Sequence, residues 1–246
     1  LTDRAVLFST VLDDPADDTA RLVLADWLEE HGEEPLGRFL RAGVTASRFR
    51  GADLIDDPAY YAALAEIAAV AKTGAPARWV AALGLGPDPL TPGDWAWDNA
   101  GDRVTVRVGS SRGTFARGLL AELEVTLGEW YALAGLALAA WPVERVVVSD
   151  VPGLAFLVER LASGWRLTGA VRLPRRNVPL TGNAVPTAIS PGAVLTHAPA
   201  DWGADQFFPD RAALVNGIAK ESAAIVADLM DAAGDRWPRP PRRRRT

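Results

Sequence analysis

Apolar positions recur at helical spacing through roughly the first eighty residues, and a spacing of two first appears over Arg103 to Val108. Leu7, Phe8 and Val11 share one face of a helix over Asp3 to Leu12. Asp13-Asp14-Pro15 stops it, because the residue before proline is pushed out of helical backbone. Asp17 or Asp18 is placed to cap a second helix running to His31, and Gly32 to end it. Pro35 suits the first turn of a third helix with the stripe Leu36, Phe39, Leu40 and Val44. None of these short helices can bury its face alone, so the pattern predicts a small bundle. Asp57-Pro58 opens a fourth helix to Lys72, Gly74-Ala75-Pro76 breaks it, and Arg78-Trp79-Val80 with Leu83 suggests a short fifth.

The Gly/Pro stretch Gly84 to Gly93 is the best candidate boundary. Beyond it Arg103 to Val108 alternates as a half-exposed strand, and Leu119 to Leu127 alternates in part. Glu129 to Trp141 reads as helix, Val143 to Ser149 as strand, Leu154 to Ala162 as helix and Gly169 to Leu173 as strand. From Val146 to Val171 a strand-plus-helix unit would fall in the length range of a leucine-rich repeat. Residues 174–208, rich in Pro, Gly and Asn, are expected to be irregular. A last helix, Asp210 to Ala233, places Val215, Ile218, Ser222, Ile225, Leu229 and Ala232 in a seam that faces either the body of the protein or a partner. The expected class is α+β: a helical bundle (1–83, with a compact module in 1–45), a mixed strand and helix region (94–173) holding one or two degenerate leucine-rich-like units, the irregular stretch, a C-terminal helix (209–234), and a disordered tail (235–246).

Composition narrows the chemistry. With no cysteine, disulfides, thiolate metal sites and cysteine nucleophiles are excluded. The longest apolar run, Trp130 to Trp141, is too short for a membrane span, and Asp3-Arg4 interrupts any signal-like start. These features favour a cytoplasmic protein. The net charge of -5 is unevenly spread: residues 1–72 carry fourteen acidic and seven basic residues, whereas 236–246 carry six arginines and no acid. Such a tail suits phosphate backbones or an acidic protein surface, and Arg242, Arg243, Arg244 and Arg245 would make those contacts. The acidic front repels nucleic acid.

Asp26, among the apolar positions of the second helix, needs a partner if it is buried, and Arg21, Arg38 and Arg41 are the candidates. Read this way, the four residues lock three helices together. Read otherwise, Asp26 and Trp27 face a partner, or Asp26 belongs to a carboxylate-based catalytic site. Glu29, Glu30, Glu33 and Glu34 are either a solvated helix end or an acidic patch for a basic partner. His31 suits a helix C-terminus, and neither it nor His197 has a second ligand at zinc spacing. Gly109-Ser110-Ser111-Arg112-Gly113 lacks the endings of a phosphate-binding loop and reads as a hairpin turn. Ser110 and His197 could be drawn into a triad, but no nucleophile-elbow motif supports one. Trp95 and Trp97 point the same way if extended, toward the core or a binding surface. No cofactor site is expected.

Arg21-Leu22-Val23-Leu24-Ala25-Asp26-Trp27-Leu28-Glu29-Glu30-His31-Gly32 resembles the signature of the planctomycete-type repeat-companion domain, as do Leu1-Thr2-Asp3, Asp14-Pro15, Asp18-Thr19 and Phe39-Leu40-Arg41. The resemblance covers about residues 1 to 45. It departs at Leu24, where the family usually has Tyr, and at Leu36-Gly37-Arg38-Phe39, where it usually has Arg-Ala-Glu-Phe. Phe115-Ala116-Arg117-Gly118, followed by Pro142-Val143-Glu144-Arg145-Val146, is similar to the segment after this domain in many members. The resemblance implies scaffolding or partner recognition without catalysis. The leading expectation is therefore a non-enzymatic interaction protein of a larger assembly. A protein that binds nucleic acid or an acidic partner through its tail, and an enzyme built round Asp26, stand as alternatives.

Overall fold

The computed structural model describes residues 2–52, 56–172, 202–234 and 237. Five helices come first: α1 (Asp3–Asp13), α2 (Asp18–Glu30), α3 (Glu34–Ser47), α4 (Pro58–Lys72) and α5 (Ala75–Ala81). Polar side chains start three of them. Thr2 accepts from the Ala5 N–H, Asp17 from Thr19 and Ala20, and Asp57 from Ala59. Helix α3 has no side-chain cap and begins with proline in its first turn. Leu24, Ala25 and Leu28 of α2 pack with Leu36, Phe39, Leu40 and Val44 of α3 in the core.

The chain then forms β1 (Trp95–Ala100), β2 (Arg103–Val108), β3 (Ser111–Ala116) and β4 (Leu119–Val125), crosses through α6 (Leu127–Ala140), and continues as β5 (Arg145–Val148), β6 (Leu154–Leu161), β7 (Gly164–Val171), β8 (Trp202–Phe208) and α7 (Arg211–Ala233). The eight strands lie side by side in chain order. Every neighbouring pair is antiparallel except β4 and β5, which are parallel because α6 returns the chain to the same end of the sheet. Thr126 and Glu129 form a capping box at the start of α6.

Cross-strand register decides which side chains share a face. Val106, Gly113, Leu123, Val146, Phe156 and Gly169 form one row on the buried face. Helices α5, α6 and α7 cover it: Val80 lies on Gly113, Trp130 stacks on Phe156 with ring centroids 6.1 Å apart, and Ile225 fills the space over Gly169. A Cβ on Gly169 would stand 2.2 Å from Ile225 Cγ2, so α7 approaches the sheet at a point where only glycine fits. The opposite face is polar. Glu122 meets Arg145 at 3.2 Å and Arg103 at 3.6 Å, Arg112 meets Glu124 at 3.2 Å, and Arg166 meets Glu159 at 2.6 Å.

The architecture is the expected α+β arrangement, with helices first, a mixed sheet-and-helix core and a C-terminal helix. Three local readings are corrected. Residues 154–161 form a strand, not a helix: Leu154, Phe156 and Val158 enter the core while Leu157 and Glu159 face outward, and pairing to β5 and β7 on both sides overrides a pattern that also fits helical spacing. The strand expected at 169–173 begins earlier, at Gly164. The strand-plus-helix unit between Val146 and Val171 is therefore absent, and a three-strand meander stands in its place. The stretch 174–208, expected to be irregular, ends in β8, which pairs over its whole length with Trp165 to Val171 of β7. The rest of it, 174–201, lies outside the described residues, as does 238–246.

The Gly84 to Gly93 connection does not separate two cores. One cluster of buried side chains runs from Val11 through Leu85 and the sheet to Ala233. Phe39, Trp79, Phe115 and Trp141 tie the helices to the sheet through ring contacts of 5.6 to 6.3 Å.

Candidate functional site

The four residues expected to lock the helical module do not converge. Asp26 is exposed, with a side-chain exposure of 58%, and pairs with Arg41, which also donates to Glu29 at 3.2 Å. Arg38 pairs with Glu34 at 3.3 Å and Glu66 at 2.6 Å, joining α3 to α4. Arg21 is the buried member, and among the described residues it pairs with no carboxylate. Its Nε and Nη2 donate to the Pro15 carbonyl at 3.2 and 2.8 Å, and its Nη1 donates to the Arg117 carbonyl at 3.2 Å. Burial, and then the nearby Arg117 charge, lower its pKa to about 10, so it remains a cation in the neutral range. The sequence pointed to a buried Asp26 because Ala25 and Trp27 flank it. In the helix Asp26 turns outward between buried Ala25 and half-buried Trp27.

Trp27 stacks on His31 at 4.0 Å with nearly parallel planes, and His31 Nδ1 lies 2.8 Å from the Trp27 carbonyl, so the histidine closes the last turn of α2. Trp95 and Trp97 stand opposite Val108 and Val106, which places both indoles on the helix-covered face of the sheet. Of the α7 seam, Ile218, Ser222, Ile225 and Leu229 are buried within this chain, Val215 is half-buried and Ala232 is exposed. Trp130 Nε1 donates to Ser222 Oγ at 3.0 Å, which satisfies the polar position in the seam. Gly109 and Ser110 form the β2–β3 turn, as expected of a hairpin. His197 and Arg242 to Arg245 lie outside the described residues. Among the described residues no three His, Asp or Glu side chains group as metal ligands, and no helix is long and apolar enough to cross a membrane.

The structure assembles a different site. A cleft of about 790 Å³ opens between α1 on one side and the C-terminal end of α6 with the first turns of α7 on the other. Phe8 and Leu12 of α1 face Ala140, Trp141 and Val215, with Leu36 and Trp79 also in the lining. Toward one end Arg4 pairs with Glu33 at 2.6 Å and lies 4.7 Å over the Phe8 ring. Toward the other lie Asp13, Asp210 and Arg211. Arg211 donates to the carbonyls of Leu12 at 2.9 Å, Leu138, and Trp141 at 3.1 Å, and its guanidinium stacks 5.1 Å over Trp165. It thereby binds the carbonyl-bearing ends of α1 and α6 together, where a cation complements the helix dipoles. Burial lowers its pKa to about 10, with Asp13 partly opposing the shift. Asp210 caps α7 by accepting from the Ala213 N–H at 2.8 Å, and Asp13 accepts from the Ser9 hydroxyl at 3.4 Å, whereas the hydrogen bonds of Arg211 go to backbone carbonyls.

Nothing in the sequence marked this cleft. Its walls come from segments about 130 and 200 residues apart, and Phe8 and Trp141 read as ordinary core positions. Comparison with known proteins finds no matching family model, no matching curated protein and no matching solved structure.

Proposed function

We propose that this chain is a non-enzymatic interaction component of a larger assembly, and that it accepts a basic amphipathic segment of a partner protein in the cleft between α1 and the α6–α7 pair. The observation that carries the reading is the cleft itself. Its lining is largely apolar and includes Phe8, Trp79 and Trp141, and its volume of about 790 Å³ matches what several apolar side chains occupy. Charge fixes the partner's sign. Asp13 and Asp210 border one end beside Arg211, the lining as a whole holds three carboxylates against the two guanidiniums of Arg4 and Arg211, and segment 1–72 carries fourteen acidic residues against seven basic ones. Lysine or arginine flanking the partner's apolar residues would find complementary potential there. The likeness of residues 1 to 45 to the repeat-companion domain supports the same role.

Ala212 provides the test. It is exposed and lines the cleft, so Ala212→Arg fills the groove and opposes a basic partner without entering the core. Cross-linking from the host extract should capture a partner whose contact peptide is basic and amphipathic, and Ala212→Arg should reduce that capture at least tenfold. A partner held equally by both proteins, or one with an acidic contact peptide, would reject the proposal.

A further inference from the structure

The cleft and the basic C-terminal segment of the same chain are chemically complementary, yet α7 holds them apart within one copy. Half-buried Phe8 and Trp79 line the cleft together with Trp141, and Asp13 and Asp210 stand at one end. Among the described residues each of these two exposed carboxylates accepts a hydrogen bond through a single oxygen, so its second oxygen is left for a further donor. Aromatic rings beside carboxylates suit a ligand that carries proline next to arginine. Proline-rich segments dock in aromatic-lined grooves because their polyproline conformation is set in advance at little entropic cost. Arginine beyond the prolines then reaches the carboxylates.

Residues 238–246 lie outside the described residues, but their sequence carries this chemistry. Pro238-Arg239-Pro240-Pro241 leads directly into Arg242-Arg243-Arg244-Arg245. The prolines favour the polyproline conformation, which repeats every three residues. In that repeat Pro238 and Pro241 share one edge and Pro240 lies on a second, while Arg239, Arg242 and Arg245 line the third. The segment is amphipathic in the sense the cleft requires.

It cannot fill the cleft of its own copy. The cleft lies at the first turns of α7, whereas Trp237, beyond the other end of that helix, packs against the core. The helix spans Arg211–Ala233, and at about 1.5 Å per residue it sets roughly 33 Å between its ends. From Trp237 to Arg245 is eight residues, about 25 Å in polyproline conformation. The four consecutive arginines therefore fall short of Asp13 and Asp210 in the same molecule. We infer that the occupant of the cleft is residues 238–245 of a second copy, so that the chain assembles with itself, tail to cleft. The inference rests on the reading of the cleft as a site for a basic segment and gives that segment an identity. Cleft and tail are different surfaces, so two copies either exchange tails or propagate the contact into longer assemblies.

Sedimentation velocity on the nuclease-treated full chain should show association that grows with protein concentration and weakens with salt. Two variants separate the halves of the contact. Arg242→Ser, Arg243→Ser, Arg244→Ser and Arg245→Ser together remove the cationic run, and Ala212→Arg obstructs the cleft. Each variant alone should raise the dissociation constant at least tenfold. Mixed one to one they should associate again, as a dimer and no larger, because the serine variant keeps an open cleft and Ala212→Arg keeps an intact tail. That recovery also shows that both variants are folded. A fluorescent peptide of residues 237–246 should bind the serine variant at least tenfold more tightly than it binds Ala212→Arg. A full chain that stays monomeric, association that survives either variant, a mixture that does not associate, or association lost on nuclease treatment would each overturn the inference. A monomeric full chain from which Ala212→Arg still abolishes capture of a different basic partner would reject this inference alone and leave the cleft reading standing.

Discussion

At the scale of single residues, arginines in this chain play two different parts. Arg4, Arg38, Arg41 and Arg112 form exposed pairs, whose worth is limited because water solvates both ions well and side-chain entropy is lost on pairing. Arg21 and Arg211 are withdrawn from water and donate to backbone carbonyls, joining segments that no regular hydrogen-bond ladder connects. The contrast predicts opposite sensitivities. Asp26→Ala should change stability by less than about 1 kcal/mol in a urea melt, because it breaks an exposed pair and Arg41 keeps Glu29. Arg21→Lys preserves the charge but replaces a planar fork by a point donor that cannot span the Pro15 and Arg117 carbonyls together. It should cost about 1–3 kcal/mol in the same melt, the penalty for a buried polar group left unpaired. Equal effects would mean that burial does not set the worth of these arginines.

At the scale of elements, the sheet determined what the local pattern left open. Leu154 to Leu161 carries apolar residues that fit either period, and β5 and β7 on either side select the strand. Helix α7 shows the reverse case: its three-and-four spacing was plain in the sequence, and the sheet supplied only the surface on which it docks. That surface depends on Gly169 beneath Ile225. Gly169→Ala should cost about 1–3 kcal/mol by overpacking. Combined with Ile225→Ala, which carries its own cavity cost, the total loss should fall short of the sum of the two single losses, because the second substitution removes the Cγ2 methyl that the new Cβ meets. Additive losses in the double-mutant cycle would show that α7 does not bear on this glycine.

At the scale of the whole molecule, one core joins helices and sheet, and this predicts cooperative unfolding. Far-ultraviolet circular dichroism and tryptophan fluorescence should report a single coincident transition in urea, since tryptophans lie on both sides of the Gly84 to Gly93 connection and share one cluster. Two separated transitions would restore an independent helical domain. The sequence by itself determined the five N-terminal helices, the strand over 103–108, and α6 and α7 to within a few residues, because caps, prolines and apolar spacing act over one or two turns and need no distant partner. It also determined the acidic front. It could not determine that Asp26 points to solvent while Arg21 is buried, since both lie on one helix and their burial depends on what packs against each face. The same limit hid the cleft and the packing of the β3–β4 turn on α3. Phe8 and Trp141 line one cleft, and Gly43 meets Gly118, across chain separations that only the closed tertiary structure bridges. Local free energy fixes where a helix begins and ends, but which of its residues become a site is fixed by whatever surface lies opposite.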